Sequence, residues 1–357
     1  MSDPSSMFSG TKEVDERFQF DEGALAAYLK ENIDGFSGDL QVRQFKGGQS
    51  NPTYALRAGG REFVLRRKPP GKLLPSAHAV DREYKVLTAL GAHTDVPVAK
   101  TWCLCEDEDV IGTIFYVMDL VEGRVIWDQS LEHLDRSERA PYYDAMNDVI
   151  ARLHSVDYKA VGLEDFGRPG NYVLRQVSRW SKQYKLSETD TIPEMNRLME
   201  WLPENVPDSD STTVVHGDYR LDNLMFHPTE PRIVAVLDWE ISTLGDPLAD
   251  FAYHVMSWRL PPGLFRGIGG LDLDGVGIPT EEAYVEAYCK RTGRDGIGNW
   301  DYYLAYNMFR IAAILQGIAG RVRDGTAASD HAKGQVARIR PLAEFAWAQA
   351  EKVMKAG

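Results

Sequence analysis

The densest run of chemistry-bearing side chains in the sequence is VVHGDYRLDNLMFHP. A β-branched stretch, Thr212 to Val215, leads into His216, Gly217 and Asp218; after a short loop, Asn223 opens a second apolar piece, Leu224 to Phe226. Asp218 and Asn223 lie five residues apart across that loop, which can aim a carboxylate and an amide oxygen at one small volume. An ionised carboxylate can take a proton from a hydroxyl, and an amide oxygen can ligate Mg²⁺, a hard cation that prefers oxygen. The apolar run IVAVLD then delivers Asp238 at its end, and a hairpin spanning the twenty residues from Asp218 returns Asp238 beside Asn223. Two oxygen ligands, with water and phosphate oxygens completing the shell, are how Mg²⁺ is held at phosphoryl-transfer sites. Taken singly, an Asp at a strand end is most often a turn former, and His216 reads as a hydrogen-bonded structural histidine. The ordered trio is what points to chemistry.

Elements that must position these residues are readable upstream and downstream. Residues 1–19 are polar and aperiodic and read as a flexible N-terminal tail; DEGALAAYLKENI then has helical spacing at Leu25, Tyr28, Leu29 and Ile33. LQVRQF, PTYALRA and EFVLRRK read as strands of an antiparallel meander, with GGQSN and the Gly59-Gly60 pair as turns. AVDREYKVLTALGAH predicts a helix closed at Gly91, and TWCLC and TIFYVMDLV predict two further strands around an acidic turn. After Glu122-Gly123 the chain turns mainly helical, so the expected division is an N-terminal lobe over 20–122 and a C-terminal lobe over 123–357. Helices are expected at about 134–155, 171–186, 191–202, 247–258, 280–292, 300–320 and 332–355, with a Gly/Pro-rich loop at PPGLFRGIGGLDLDGVGIP. Asp246 before Pro247 reads as a helix cap and Asp250 as an acid of that helix's first turns. In NWDYYLAYNMFRIAAILQG, Tyr303, Tyr306 and Arg310 share a face that reads as core before it reads as an acceptor pocket.

HGDYRLDN, LDWE and the following GDPLADFA resemble the aminoglycoside phosphotransferase and choline kinase family, whose fold is like that of protein kinases. The resemblance covers about residues 20–320 and implies an α+β, two-lobe protein-kinase-like fold, with a small antiparallel-sheet N-lobe and a larger, mainly helical C-lobe. It implies Asp218 as catalytic base, Asn223 and Asp238 as Mg²⁺ ligands, and His216 as a brace for the loop. FKGGQSNPTYAL would occupy the turn covering the nucleotide phosphates: Gly47 and Gly48 let backbone N–H groups approach an anion, and Ser50 and Asn51 add side-chain donors. Arg66 would align with the lysine that holds the α- and β-phosphates, a departure in residue type, with Arg67 and Lys68 as neighbouring alternatives. Glu83 would be its ion-pair partner, and Met118 to Val121, Met118 and Leu120 above all, would offer backbone groups to adenine.

The expected activity is transfer of the γ-phosphoryl group of ATP, or GTP, to a hydroxyl of a small acceptor. Nucleotide binding without transfer and metal-dependent phosphohydrolysis are the alternatives. The blocks FVLRRKPPGKLLPSAHAVDREY and VLDWEISTLGDPLAD are similar to the phosphotransferase-like domains found beside acyl-CoA dehydrogenases, which makes a hydroxyacyl-CoA-like acceptor an alternative to an aminoglycoside-like one. With 40 Lys+Arg against 53 Asp+Glu, the net charge of −13 argues against a nucleic-acid binder. No run of 18 apolar residues and no signal-like start are present, so no membrane role and a cytoplasmic location are expected. Cys103 and Cys105 read as one face of a strand and Cys289 as core, with no metal or redox role.

Overall fold

The computed structural model describes residues 10–46, 51–71, 78–209, 211–325 and 334–356. Contacts divide the chain into two compact units. The first comprises Met1–Trp127, Lys159–Phe166 and Leu221–Ser242; the second comprises Asp128–Tyr158, Gly167–Arg220 and Thr243–Gly357.

The first unit is built on a six-stranded antiparallel sheet of order β1-β2-β3-β4-β6-β5. Its strands are β1 (Thr11–Lys12), β2 (Gln41–Phe45), β3 (Thr53–Ala58), β4 (Arg61–Arg67), β5 (Thr101–Cys105) and β6 (Phe115–Asp119). Alternation sets the faces: Tyr54, Leu56 and Ala58 of β3 are buried while the residues between them are not. The hairpin from β3 to β4 turns at Gly59 and Gly60, both at positive φ (57° and 77°), as a two-residue turn between right-twisted strands requires. A Cβ at Gly59 would lie 2.5 Å from the Ser37 carbonyl oxygen, so the position also needs glycine's lack of bulk. Helix α1 (Glu22–Asn32), capped by Asp21, packs Leu25 and Leu29 with Phe63, Phe115 and the thiols of Cys103 and Cys105 into one apolar cluster. Those two cysteines are buried on one face of β5, as their spacing predicts.

Helix α2 (Val80–His93) buries Val80, Glu83, Val86, Leu87 and Leu90. It runs two residues beyond the expected stop at Gly91, because Thr94 closes it: Thr94 N and Oγ1 both donate to the Leu90 carbonyl, at 3.0 and 2.7 Å. A three-stranded sheet completes this unit, with β9 (Leu224–Phe226) between β10 (Ile233–Val236) and β7 (Arg124–Val125).

The second unit is mainly helical. Its helices are α3 (Arg136–His154), α4 (Tyr172–Ser187), α5 (Pro193–Glu204), α6 (Pro247–Val255), α7 (Leu273–Val276), α8 (Glu281–Thr292), α9 (Trp300–Arg323) and α10 (Ile339–Ala356). Helix α9 is apolar almost all round, and packing against α10, α4 and α6 covers it. The β-branched run before His216 forms β8 (Thr213–Val215), which pairs with β11 (Thr243–Gly245), not with the apolar piece that follows the loop. No helix among the described residues is long and apolar enough to cross a membrane.

Candidate active site

In the first unit, the hairpin of β9 and β10 places two of the expected oxygen ligands. Leu224 pairs with Val236, and Leu237 N donates to the Asn223 carbonyl at 2.8 Å, so Asn223 and Asp238 occupy adjacent rungs where the strands run out. Asn223 is buried, whereas the Asp238 carboxylate keeps about a third of its surface open (36%). Asp238 sits at φ +65°, a left-handed conformation that Asp tolerates better than most residues and that surrounding structure must hold in place. The next residue supplies the hold: Trp239 is buried, its Nε1 donates to the Val236 carbonyl at 2.9 Å, and Ser242 Oγ donates to the Trp239 carbonyl at 2.6 Å.

Arg66 reaches this corner from β4. Its Nε is 2.8 Å from Glu83 Oε2 and its Nη2 is 3.7 Å from Asp238 Oδ1. Glu83, 2% exposed on α2, is the hub of the group. Its Oε1 accepts from Asn51 Nδ2 at 2.9 Å and from Arg66 Nη2 at 3.3 Å, and its Oε2 accepts from the Tyr116 hydroxyl at 3.1 Å. His78 Nδ1 lies 2.9 Å from Asn51 Oδ1, extending the network by one member. Burial works against the Arg66 charge, but Glu83, Tyr116 and Asp238 outweigh it and hold the guanidinium protonated above its ordinary value. Burial, with Glu83 adding to it, keeps the Tyr116 phenol protonated as well.

Of the three basic residues at the end of β4, Arg66 is the one that meets Glu83. Arg67 turns to the opposite face, 2% exposed, where it donates to the Ile111 carbonyl at 3.1 Å and lies over the Phe20 ring; Lys68 faces Asp81 at 3.8 Å. Met118 pairs across the strands with Val64, two residues along β4 from Arg66, and Leu120 follows the end of β6. Gly47, Gly48 and Ser50 lie outside the described residues.

Asp218 belongs to the second unit, on the loop after β8. The Tyr253 hydroxyl donates to its Oδ1, and Arg220 Nε forms an ion pair with its Oδ2 at 3.1 Å. The backbone of this loop is fixed from α6. Asp250 Oδ2 accepts from His216 N at 2.7 Å and Asp250 Oδ1 from Gly217 N at 2.8 Å, while His154 Nε2 stands 3.2 Å from Asp250 Oδ2. Burial pushes the Asp250 carboxyl toward its neutral form, but His154, His216 and the loop amides hold it below the ordinary carboxylate value. His216 is fully buried and its Nδ1 accepts from Asp218 N at 3.2 Å, so it braces the loop. Tyr219, also fully buried, donates to the Met146 carbonyl at 2.8 Å. Arg310 closes the ring of contacts, donating from Nη2 to the Gly217 carbonyl at 2.8 Å and lying over the Tyr253 ring at 5.1 Å.

Sequence reasoning missed Tyr253 and Tyr116 and gave Asp250 and Arg310 lesser parts. Asp246 does cap α6, accepting from Leu248 N at 2.8 Å. The signal for the others lay in spacing: Asp246, Asp250 and Tyr253 recur at intervals of four and three, one face of a helix.

The first unit thus holds an ion-paired arginine and two oxygen donors on adjacent rungs, and the second unit a carboxylate on a tightly bonded loop; the fold is α+β and kinase-like. The chain belongs to the phosphotransferase enzyme family, whose model matches residues 41–303. A crystal structure of a Ralstonia eutropha protein provisionally named as an aminoglycoside phosphotransferase is 56% identical, with a TM-score of 0.88, and covers 94% of this chain and 99% of its own. Acyl-CoA dehydrogenase family member 10 of Mus musculus is 46% identical over 96% of this chain, but the chain spans only 32% of that curated relative's length. An aminoglycoside phosphotransferase solved with AMP-PNP and hygromycin B shares the fold at 18% identity, with a TM-score of 0.58 over 90% of this chain and 98% of its own.

Proposed function

We propose that the protein transfers the γ-phosphoryl group of ATP, or of GTP, to a hydroxyl of a small molecule. The observation that carries this reading is the run of contacts from Glu83 through Arg66 to Asp238, with Asn223 on the rung beside it. It combines a fixed cation for phosphate oxygens with a pair of hard oxygen donors, the two features a triphosphate site requires. One amide oxygen and one carboxylate suit a cation that keeps water and phosphate oxygens in its shell. Asn223 and Asp238 would hold Mg²⁺, which when bound neutralises charge on the transferring phosphate.

In this reading Arg66 forks onto the α- and β-phosphates while Glu83 holds its plane; Asn51, expected as a phosphate donor, is buried and spends its amide on Glu83 instead. Backbone groups at Met118 and Leu120 receive adenine. Asp218 orients the acceptor hydroxyl and takes its proton. Such catalysis consists of positioning and electrostatics.

The acceptor side is supported by charge. Beside Asp218, Arg220 and Tyr253 border a recess with room for about 20 Å³, next to Phe265 and Arg266. An acceptor reaching it would meet arginine side chains, which suit an anionic group. A hydroxyacyl-CoA-like compound has that chemistry, in keeping with a relative named for acyl-CoA dehydrogenation.

The test is transfer of labelled γ-phosphate from ATP to a panel of hydroxyacyl-CoAs, aminoglycosides, choline and sugars, with wild type and Asp218→Ala side by side. Transfer to an anionic hydroxy compound that falls by about 10²–10⁴-fold in the variant is expected, the range for losing a general base. Nucleotide binding with no transfer to any member of the panel would leave a nucleotide-binding protein and overturn the reading.

A further inference from the structure

Three buried tyrosines in the second unit donate to backbone carbonyls: Tyr219 to Met146, Tyr143 to Gln129 and Tyr302 to Leu202. Those bonds satisfy a hydroxyl and stitch elements together. Tyr253 spends its hydroxyl on the carboxylate of Asp218, as Tyr303 does on the helix-capping Asp246; of the two carboxylates, Asp218 is the proposed base. We infer that Tyr253 is a positioning residue for Asp218, fixing the plane of its carboxylate for the acceptor hydroxyl; this rests on the proposed role of Asp218 as base.

The geometry around Tyr253 leaves it little freedom. One face of α6 ties down three consecutive loop residues: Asp250 takes the amides of His216 and Gly217, and Tyr253, one turn on, takes the side chain of Asp218. Tyr253 is 4% exposed, and Arg310 lies over its ring while donating to the Gly217 carbonyl, so ring and loop are held by the same guanidinium. Burial, reinforced by the charge of Asp218, keeps the phenol protonated far above neutrality, so its O–H is a donor at every working pH. Tyr253 bonds Oδ1 and Arg220 faces Oδ2, so both oxygens of the carboxylate are held and its orientation is fixed. A free Asp side chain would sample rotations that misplace the reacting oxygen, and small misplacements are expensive in rate.

The experiment is steady-state hydrolysis of MgATP, with water as acceptor and ADP release as readout, for wild type, Tyr253→Phe, Asp218→Asn and the double variant. Tyr253→Phe keeps the ring and its contact with Arg310, so its melting temperature stays close to wild type. Its kcat is expected to fall about tenfold with KM for ATP unchanged, the scale for removing one hydrogen bond to a charged group. In the Asp218→Asn background the same substitution is expected to change kcat by less than about twofold, because the bond it removes serves that carboxylate. Wild-type kcat in Tyr253→Phe, or a tenfold loss that persists in the Asp218→Asn background, overturns the inference while leaving the phosphotransfer reading intact. Hydrolysis by Asp218→Asn at the wild-type rate removes the base itself, and both readings fall.

Discussion

Asp250→Asn is the sharpest perturbation of the second unit, because one carboxylate serves three partners there. Oδ1 receives Gly217 N at 2.8 Å, and Oδ2 receives His216 N at 2.7 Å with His154 Nε2 3.2 Å away. Asparagine offers one acceptor oxygen and one NH₂ group, so it can keep one loop amide and must face the other with a donor. A buried N–H left unpaired costs about 1–3 kcal/mol, and the surviving bond loses its charge assistance at a further cost of about 1 kcal/mol. The expected loss is about 3 kcal/mol, or about 6–12 °C in melting temperature for a unit of this size. Thermal melts followed by circular dichroism measure it, and the kcat of MgATP hydrolysis reports whether the loop has loosened. Proton linkage gives a second signature. The Asp250 carboxyl is held below its ordinary value, so its contribution is fully present above the unfolded carboxylate range and is lost as pH falls through the depressed folded value. The stability gap between wild type and Asp250→Asn is therefore constant from about pH 8 to 5 and shrinks below about pH 4. A variant melting within about 2 °C of wild type at neutral pH, set against the expected 6–12 °C, would refute the reasoning, as would a gap undiminished in strong acid.

Two further outcomes follow from groups in each unit. Burial pushes the His254 imidazole down to about 4, against a smaller opposing pull from Asp250, and its Nε2 lies 2.8 Å from the Tyr284 hydroxyl. Its folded value lies below its unfolded one, so stability on its account is whole above about pH 6.5 and drains by about 3 kcal/mol as pH falls toward 4. Urea midpoints taken between pH 7 and 4 should show a shallower decline in His254→Gln; an equal slope in both proteins would remove His254 as the cause. Arg66→Lys should fold normally but weaken AMP-PNP binding about tenfold by calorimetry, because one ammonium cannot reproduce the guanidinium's reach to both Glu83 and Asp238. Unchanged affinity would show that the fork is dispensable.

What could be read from the sequence was whatever local pattern decides. The hairpin returning Asp238 to Asn223 follows from two short apolar strands and their connection; Arg66 comes from the resemblance, which leaves Arg67 and Lys68 open, and the structure sends Arg66 and Arg67 to opposite faces of β4. Partners set by long-range packing were not legible. The strand before His216 finds β11, almost thirty residues away, because both sides of the loop between them are claimed elsewhere. Asp250 looked like an ordinary first-turn acid, since nothing within its own helix reveals two loop amides 33 and 34 residues upstream. The unit boundaries behave likewise. A change of composition near Gly123 marks a single cut, whereas Leu221–Ser242 groups with the N-terminal unit through β9, β10 and the bond from Val236 N to the Pro97 carbonyl. At the end of α2, the threonine that caps the helix outweighs the glycine inside it.

The arginine at position 66 departs from the lysine the resemblance implies there, and its surroundings decide what the departure means. A buried carboxylate is tolerated only when its lone pairs are met, and Glu83 meets that requirement with three donors: Asn51, Tyr116 and Arg66. A guanidinium can address Glu83 through one edge and Asp238 through another, which a compact ammonium on a flexible stem cannot do at the same time. Removing one partner of such a buried pair costs about 3–5 kcal/mol, so the pair also holds β4 to α2. The surroundings of Arg66 are thus fitted to a guanidinium, which under the proposed function is the group that meets the phosphates.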